Sequence, residues 1–359
     1  MIAVEKWGQL LWVLFVLILL PGCTTLPRSP VPIDKMAQAE VLGISGIRAW
    51  GGQPTPSFQA DIVESVHQEP AGQFPRDADG KPLYAALALS GGGSHGAFGA
   101  GVLCGWTQAG NRPTFKMVTG ISTGSLIAPF AFLGPQYDEQ LKGLYTTIKT
   151  VDILEKLNFL KIFRSESFAK TTPLQNLLER NIDEALLKAI VVAHNRGRRL
   201  YIGTTHMDAQ RLVVWNMGLI AKSGHPEALS LFRQVLLASA SIPGAFPPVM
   251  LKVEVDGKRF DEMHTDGGTT TQVFFHGGTL DVLAAGQAAG FGDKIKNRGG
   301  IYIIRNGQLS PQPEQVRRNL STITTRAIDT MIKNTARNDL FRIYAYTLRE
   351  KIDFHYVDI

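Results

Sequence analysis

LSGGGSHGAFGAGVL, residues Leu89 to Leu103, is the stretch on which the reading of this chain turns. It ends a continuous apolar run that begins at Leu83, the pattern of a strand buried on both faces of a parallel sheet. Behind it, Phe98, Val102, Leu103 and Trp106 fall at helical spacing over Gly96 to Gln108. A glycine-rich loop between such a strand and such a helix brings bare backbone N–H groups to a helix N-terminus. That suits a phosphate cradle, an oxyanion hole or plain close packing.

The next motif discriminates among them. Gly91, Gly93 and Gly96 satisfy the G-x-G-x-x-G dinucleotide pattern, which also wants an acidic residue at the end of the following strand to hold a ribose. Here the following strand, Phe115 to Val118, runs into Gly120-Ile121-Ser122-Thr123-Gly124. The acid is missing and a serine stands in its place, so no nucleotide is expected. G-x-S-x-G between a strand and an apolar helix (Ser125 to Leu133) is the setting of a nucleophile elbow. Gly120 and Gly124 let the turn close sharply, and the helix N-terminus points at a developing oxyanion. A third patch, Thr265-Asp266-Gly267-Gly268, holds an acid on a tight loop. That loop can carry a base into a cleft or be an ordinary Asp-Gly turn.

The remaining pattern is α/β. Leu200 to Thr204, Leu212 to Trp215 and Gly300 to Ile304 read as strands, and Asp256-Gly257 turns a hairpin between Val249–Val255 and Arg259–Met263. Ile182 to His194, Pro226 to Ala238 and Arg317 to Arg349 read as helices, and Ile352 to Val357 as a last strand. Strand, loop, helix, strand, turn, helix is the rhythm of a parallel sheet covered on both faces.

Taken in order, LSGGGSHGAFGAGVL, GISTG and TDGG resemble the patatin-like phospholipases. LYIGTTHMDAQRLVVWNMG (Leu200 to Gly218) and ASASIPGAFPPVM (Ala238 to Met250) strengthen the resemblance, which covers roughly residues 83 to 310. It implies a three-layer α/β/α fold with a mainly parallel central sheet, and a lipid acyl hydrolase working through a Ser–Asp dyad without metal or other cofactor. Carried over, Ser122 is the nucleophile, Asp266 the general base, Gly91, Gly92 and Gly93 the oxyanion loop, and Gly267 and Gly268 the rest of the DGG motif. The implied substrates are phospholipids or lysophospholipids at a membrane surface. The family loop usually has Arg or Lys where this chain has His95, and the family domain tends to continue past the point where this chain ends. Two other readings compete. One is a Ser-Asp-His esterase of α/β-hydrolase type using His276 or His355. The other is a silent lipoprotein that binds lipid or a partner without turnover.

The first residues read as an export signal. Lys6 precedes the apolar run Leu10 to Leu20, too short for a comfortable membrane span but right for a signal-peptide core. Leu20-Pro21-Gly22-Cys23 resembles the lipobox of bacterial lipoproteins, which implies a lipid on Cys23 and, with Thr24 next, outer-membrane sorting facing the periplasm. The expected layout is a signal peptide over 1–22, a Pro-rich tether over 23–38, an irregular segment over 39–82 with one short helix, and the hydrolase domain over 83–359. The chain of 359 residues is 44% hydrophobic with a formal charge of +6. That excess is spread along the sequence, which favours an anionic membrane surface over nucleic acid. Cys104, the other cysteine, sits in an apolar helix and reads as structural.

Lesser features have plainer readings. His206 with Asp208 and His264 with Asp266 form H-x-D pairs that lack a third metal ligand, so turn or strand-surface hydrogen bonding is expected and no metal. His67, His194 and His225 read as surface residues, and Ser90 and Ser94 as turn and cap residues. Ile242 and Phe246 suit an acyl pocket or simple packing under a loop. The basic residues of 317–349 suit a solvated helix face or contact with anionic headgroups.

Overall fold

The strands on either side of the glycine loop, β2 (Ala85–Leu89) and β3 (Phe115–Ile121), are buried at every position. They lie at the middle of a nine-stranded sheet in a computed structural model that describes residues 26–146, 155–156, 167, 169–275 and 299–359. β6 (Arg199–His206) runs parallel to β3, while β10 (Gly300–Ile304) and then β11 (Asp353–Val357) run parallel on the far side of β2. β7 (Arg211–Asn216) and β1 (Arg48–Trp50) extend the sheet antiparallel from β6. A hairpin of β8 (Val249–Val255) and β9 (Lys258–Asp266) joins through its last residues to β6. A separate ribbon pairs β4 (Glu155–Lys156) with β5 (Ala169–Lys170).

Alternation along β2 builds both layers of the core. Leu87 and Leu89 face a cluster that includes Leu103, Phe130, Leu178, Leu187 and Phe232. These come from α2 (Gly96–Gln108), α3 (Thr123–Leu133), α5 (Thr172–Asn181), α6 (Glu184–Asn195) and α8 (Ala228–Ser239). Ala86 and Ala88 face the other way, toward Phe58 and Ile62 of α1 (Pro56–His67) and Leu340 and Ile343 of α9 (Leu320–Glu350). Two further helices, α4 (Asp138–Thr146) and α7 (Met217–Lys222), complete the first layer. The result is a three-layer α/β/α fold around a mainly parallel sheet. No helix among the described residues is long and apolar enough to cross a membrane.

Residues 1–25, with the expected signal peptide and Cys23, lie outside the described residues, as does His276. From Arg28 onward the expected tether is docked. Arg28 forks onto Asp208 and reaches Asp261, Ser29 is bound on both backbone sides by Asp261, and Val31 and Met36 enter the core. Prolines that suit an extended linker suit an extended docked strand equally well. Residues 39–82 supply the expected helix, α1, and also an edge strand, β1, which sequence reading missed because three residues carry no periodicity.

Candidate active site

The site arises where two strands share one edge of β6. β3 pairs with β6 as far as Ile121 opposite Gly203, and there the chain turns away at Ser122. β9 takes over that edge one residue later, with Asp266 opposite Thr204. The change of partner brings Ser122 and Asp266, far apart in sequence, to the carboxyl ends of the parallel strands.

Ser122 occupies φ 53° and ψ −127°, a region that costs a side-chain-bearing residue about 1–3 kcal/mol. The surroundings hold it there. Its N–H donates to Ser239 Oγ at 3.0 Å, and Ser239 donates in turn to the Gly203 carbonyl at 2.7 Å. Its carbonyl accepts from Ser125 N–H at 2.8 Å and Ser125 Oγ at 2.6 Å. Gly120 and Gly124 are required by close approach: a Cβ on Gly124 would lie 2.4 Å from the Leu89 carbonyl oxygen, and one on Gly120 2.6 Å from that of Gly124.

Asp266 is buried, and burial pushes its carboxyl up to about 7, countered in part by the nearby Ser122 hydroxyl and by the Gly268 N–H. Oδ1 accepts from Gly268 N–H at 2.7 Å, whereas Oδ2 is sealed from water with no donor in bonding geometry among the described residues. The contact with Ser122 is therefore loose, as such pairs commonly are before substrate binds. Gly267 has no room for a side chain, since its Cβ would meet the Gly203 carbonyl at 2.5 Å.

The glycine loop divides its labour. Gly91 N–H donates to the Gln272 carbonyl at 3.0 Å. It is spent there, which corrects the expectation that all three glycines offer donors. The N–H groups of Gly92 and Gly93 have no partner among the described residues. A Cβ on Gly92 would fall 1.6 Å from the Asn306 carbonyl oxygen, and Gly93, at φ 57°, opens onto free space. Gly93, Ser94, Ser122 and Thr123 rim a cavity of about 360 Å³. Its wall is apolar, with Leu126 and Phe130 of α3, Leu174 and Leu178 of α5, and Ile182 just after α5. Ile242 and Phe246 line it as well, so of the two readings offered for them the pocket is the one observed.

Sequence reading missed the scaffold of this loop. Arg305 Nη1 donates to the Gly91 carbonyl at 3.0 Å and to Ser90 Oγ at 3.2 Å. Asn306 donates to Ser90 from its backbone and from Nδ2, and its Oδ1 accepts from Gly99 N–H. Gln272 Nε2 donates to the Gly268 carbonyl at 2.7 Å. The only sequence signal for Arg305 and Asn306 was their position at the end of a buried strand. Tyr145 meets Thr123 Oγ1 at 2.8 Å on the cavity rim.

The histidines need correction. His194 is buried, not at the surface, beside Asp61. His206 and His264 are fully buried and converge on Glu262 rather than on their neighbouring aspartates. The three donor atoms lie within 4.8 Å of one another, which supplies the third metal-type ligand the sequence seemed to lack. The hydrogen bonds nevertheless do not fit a metal. His206 Nδ1 accepts from Ala209 N–H at 3.2 Å, so its Nε2 carries the proton. Thr204 Oγ1 receives the Trp215 indole N–H at 2.8 Å and gives its own hydrogen to His264 Nδ1 at 2.9 Å, which leaves Nε2 of His264 protonated toward Glu262 at 3.2 Å. Arg48 forks onto the same carboxylate. Neither imidazole has a lone pair free for an ion, and metal-bound histidines normally donate from their second nitrogen. The cluster is a charge knot tying β1 to the hairpin. His355, the described competitor for the role of base, is exposed and stacked on Tyr302. It stands three strands from β3, about 14 Å across the sheet.

The fold thus brings a buried carboxyl close to a serine on a strained strand-to-helix turn that lines an apolar cavity. The family model described as patatin-like phospholipase matches residues 87–279, more than half of the chain, and the chain belongs to that family. The family is one of lipid acyl hydrolases. No curated protein matches the chain. Among solved structures, the crystal structure of VipD from Legionella pneumophila is similar at 11% identity and a TM-score of 0.35, over 77% of this chain and 58% of that one. This chain thus spans less than two thirds of the length of VipD.

Proposed function

We propose that this protein hydrolyses fatty-acyl esters of phospholipids or lysophospholipids through a Ser122–Asp266 dyad. The observation that carries the reading is the meeting of Ser122, strained at φ 53°, with a buried carboxyl held near neutrality at the mouth of an apolar cavity. Ionised Asp266 takes the Ser122 hydroxyl proton as Oγ bonds to the acyl carbonyl carbon. The Gly92 and Gly93 N–H groups bind the resulting oxyanion, each such donor being worth about 3 kcal/mol in the transition state. Collapse breaks the ester bond, the leaving alcohol recovers the proton from Asp266, and the acyl group stays on Ser122. Water deprotonated by Asp266 then releases the fatty acid and restores the serine. Every role in this cycle is filled by side chains and backbone of the chain. A lipid on Cys23, and a place on the outer membrane facing the periplasm, belong to the same proposal.

The test is fatty-acid release from phospholipid vesicles by the protein and its Ser122→Ala variant, with a chelator present. Release that the variant loses supports the proposal; equal release by both, or none from a folded wild type on either phospholipid or lysophospholipid, overturns it.

A further inference from the structure

The long helix α9 wears a second apolar face that the fold does not use. Ala336, Leu340, Ile343 and Thr347 form the buried line against the sheet. Leu320, Ile323, Ala327 and Met331 recur at the same three- and four-residue spacing but on the opposite side. They point to solvent, with Leu320 84% and Met331 68% exposed. Arg317 and Arg318 stand exposed just before the helix at the head of this stripe, whereas Arg326 is paired with Glu314 and the Gln312 carbonyl and Lys333 with the Ser310 carbonyl on its flank. The acidic residue of this half, Asp329, falls on the buried side of the helical wheel.

The position of this half is fixed by hydrogen bonds. Asp339 Oδ2 accepts from Gln272 N–H at 2.7 Å, and Gln272 bonds Gly91 at the carboxyl end of β2. The helix then runs back to Asp353, which pairs with Gly300 at the amino end of β10. The residues before Asp339 therefore extend past the carboxyl ends of the strands, the end where Ser122 stands. Nineteen helical residues reach roughly 28 Å at 1.5 Å per residue. Nothing on this reach before Ala336 is buried.

We infer that the amino-terminal half of α9 docks on a bilayer surface bearing anionic headgroups, with Leu320, Ile323 and Met331 entering the acyl boundary and Arg317 and Arg318 meeting lipid phosphates. An apolar stripe bordered by cations is the pattern that places a helix in the interfacial plane, and its projection at the catalytic end directs that plane toward the site. The inference concerns attachment and does not depend on the chemistry assigned to Ser122.

The test uses the full-length chain with Cys23→Ser and Cys104→Ala, so that one added cysteine carries an environment-sensitive dye. Met331→Cys reports the stripe and Asp329→Cys the far side. The expected result is a blue shift at position 331 on phosphatidylglycerol vesicles, reversed by high salt, absent on phosphatidylcholine and absent at position 329. Adding Arg317→Glu and Arg318→Glu should weaken vesicle affinity more than tenfold. No shift at 331, or an equal shift on both lipids, overturns the inference. So does a shifted dye before lipid is added, which would mean that residues 276–298, a second copy or another protein already covers the stripe. Hydrolysis of a soluble short-chain ester by the same proteins separates failure of docking from failure of the catalytic proposal.

Discussion

The Gly91 N–H and the Gln272 carbonyl are joined at 3.0 Å, and through this bond the glycine loop and the loop of Asp266 are held as one piece. Gln272 also grips the Gly268 carbonyl through Nε2, while its own N–H is fixed by Asp339. A residue that touches neither nucleophile nor base thus sets the distance between their supports. Gln272→Ala is expected to lower kcat about fivefold, at about 1 kcal/mol for a lost hydrogen bond, with KM little changed. Steady-state kinetics on a soluble ester check this, and an unchanged kcat would remove Gln272 from the positioning role.

Asp266 makes activity and stability pull against each other with pH. As a base it must be ionised, so kcat/KM should rise with pH and level off above about 7. Because its carboxyl is raised in the fold from 3.8 to about 7, folding favours the protonated form. The stability this contributes is complete below about pH 4 and is lost as pH rises through 7. Asp266→Asn should abolish turnover by about 10²- to 10⁴-fold and melt increasingly above wild type between pH 4 and 7. Thermal melts of both proteins across that range are the measurement; a constant difference would mean that Asp266 is not raised.

Glu262 has the opposite sign. Arg48, His206 and His264 hold its carboxyl well below the ordinary range despite burial. Its contribution is present above about pH 4.5 and falls away on acidification. Glu262→Gln leaves Arg48 without its counter-charge and should cost about 3 kcal/mol at neutral pH, read by urea unfolding. Zinc or chelator should shift neither protein's midpoint.

Cavity width should decide acyl length. Leu177 is half-buried on the wall, and Leu177→Trp fills space without entering the tightest packing. Hydrolysis of long-chain esters should fall about tenfold or more relative to an acetyl ester, the scale on which a pocket discriminates by methylenes. Parallel loss on both esters would place the acyl chain elsewhere.

The glycines of α2 are not equivalent. A Cβ on Gly96 would meet Thr123 Oγ1 at 2.1 Å, whereas Gly101 and Gly105 have nothing within 4 Å. Gly101→Ala and Gly105→Ala should each stabilise the protein by about 0.5–1 kcal/mol without altering activity, while Gly96→Ala should disturb the rim. Melting temperatures and ester kinetics on the three variants decide the point.

The parts legible in the sequence are those where local chemistry and fold agree. Gly120 to Gly124 announced a sharp turn because bare backbone on both sides of a serine has few other uses. β2, β3 and β10 announced themselves as unbroken apolar runs. Arg305, Asn306 and Gln272 stayed hidden because their partners at Ser90 and Gly91 are far away in the chain and no periodicity links them. His206 and His264 were misplaced for a related reason. Each sits beside an aspartate in sequence, but strand pairing points them at Glu262, and a polar residue paired inside a core looks in sequence like one at the surface.

Arg28 shortens the leash. It is clasped by Asp208 just past the end of β6, on the same rim of the sheet as Ser122, and it stands only five positions after Cys23. Five fully extended residue steps reach roughly 17 Å. A lipid on Cys23 would therefore confine the catalytic rim to a shell of about that thickness above the bilayer. The enzyme would then search a plane rather than a volume, and its rate would follow lipid per unit area, whatever the bulk concentration.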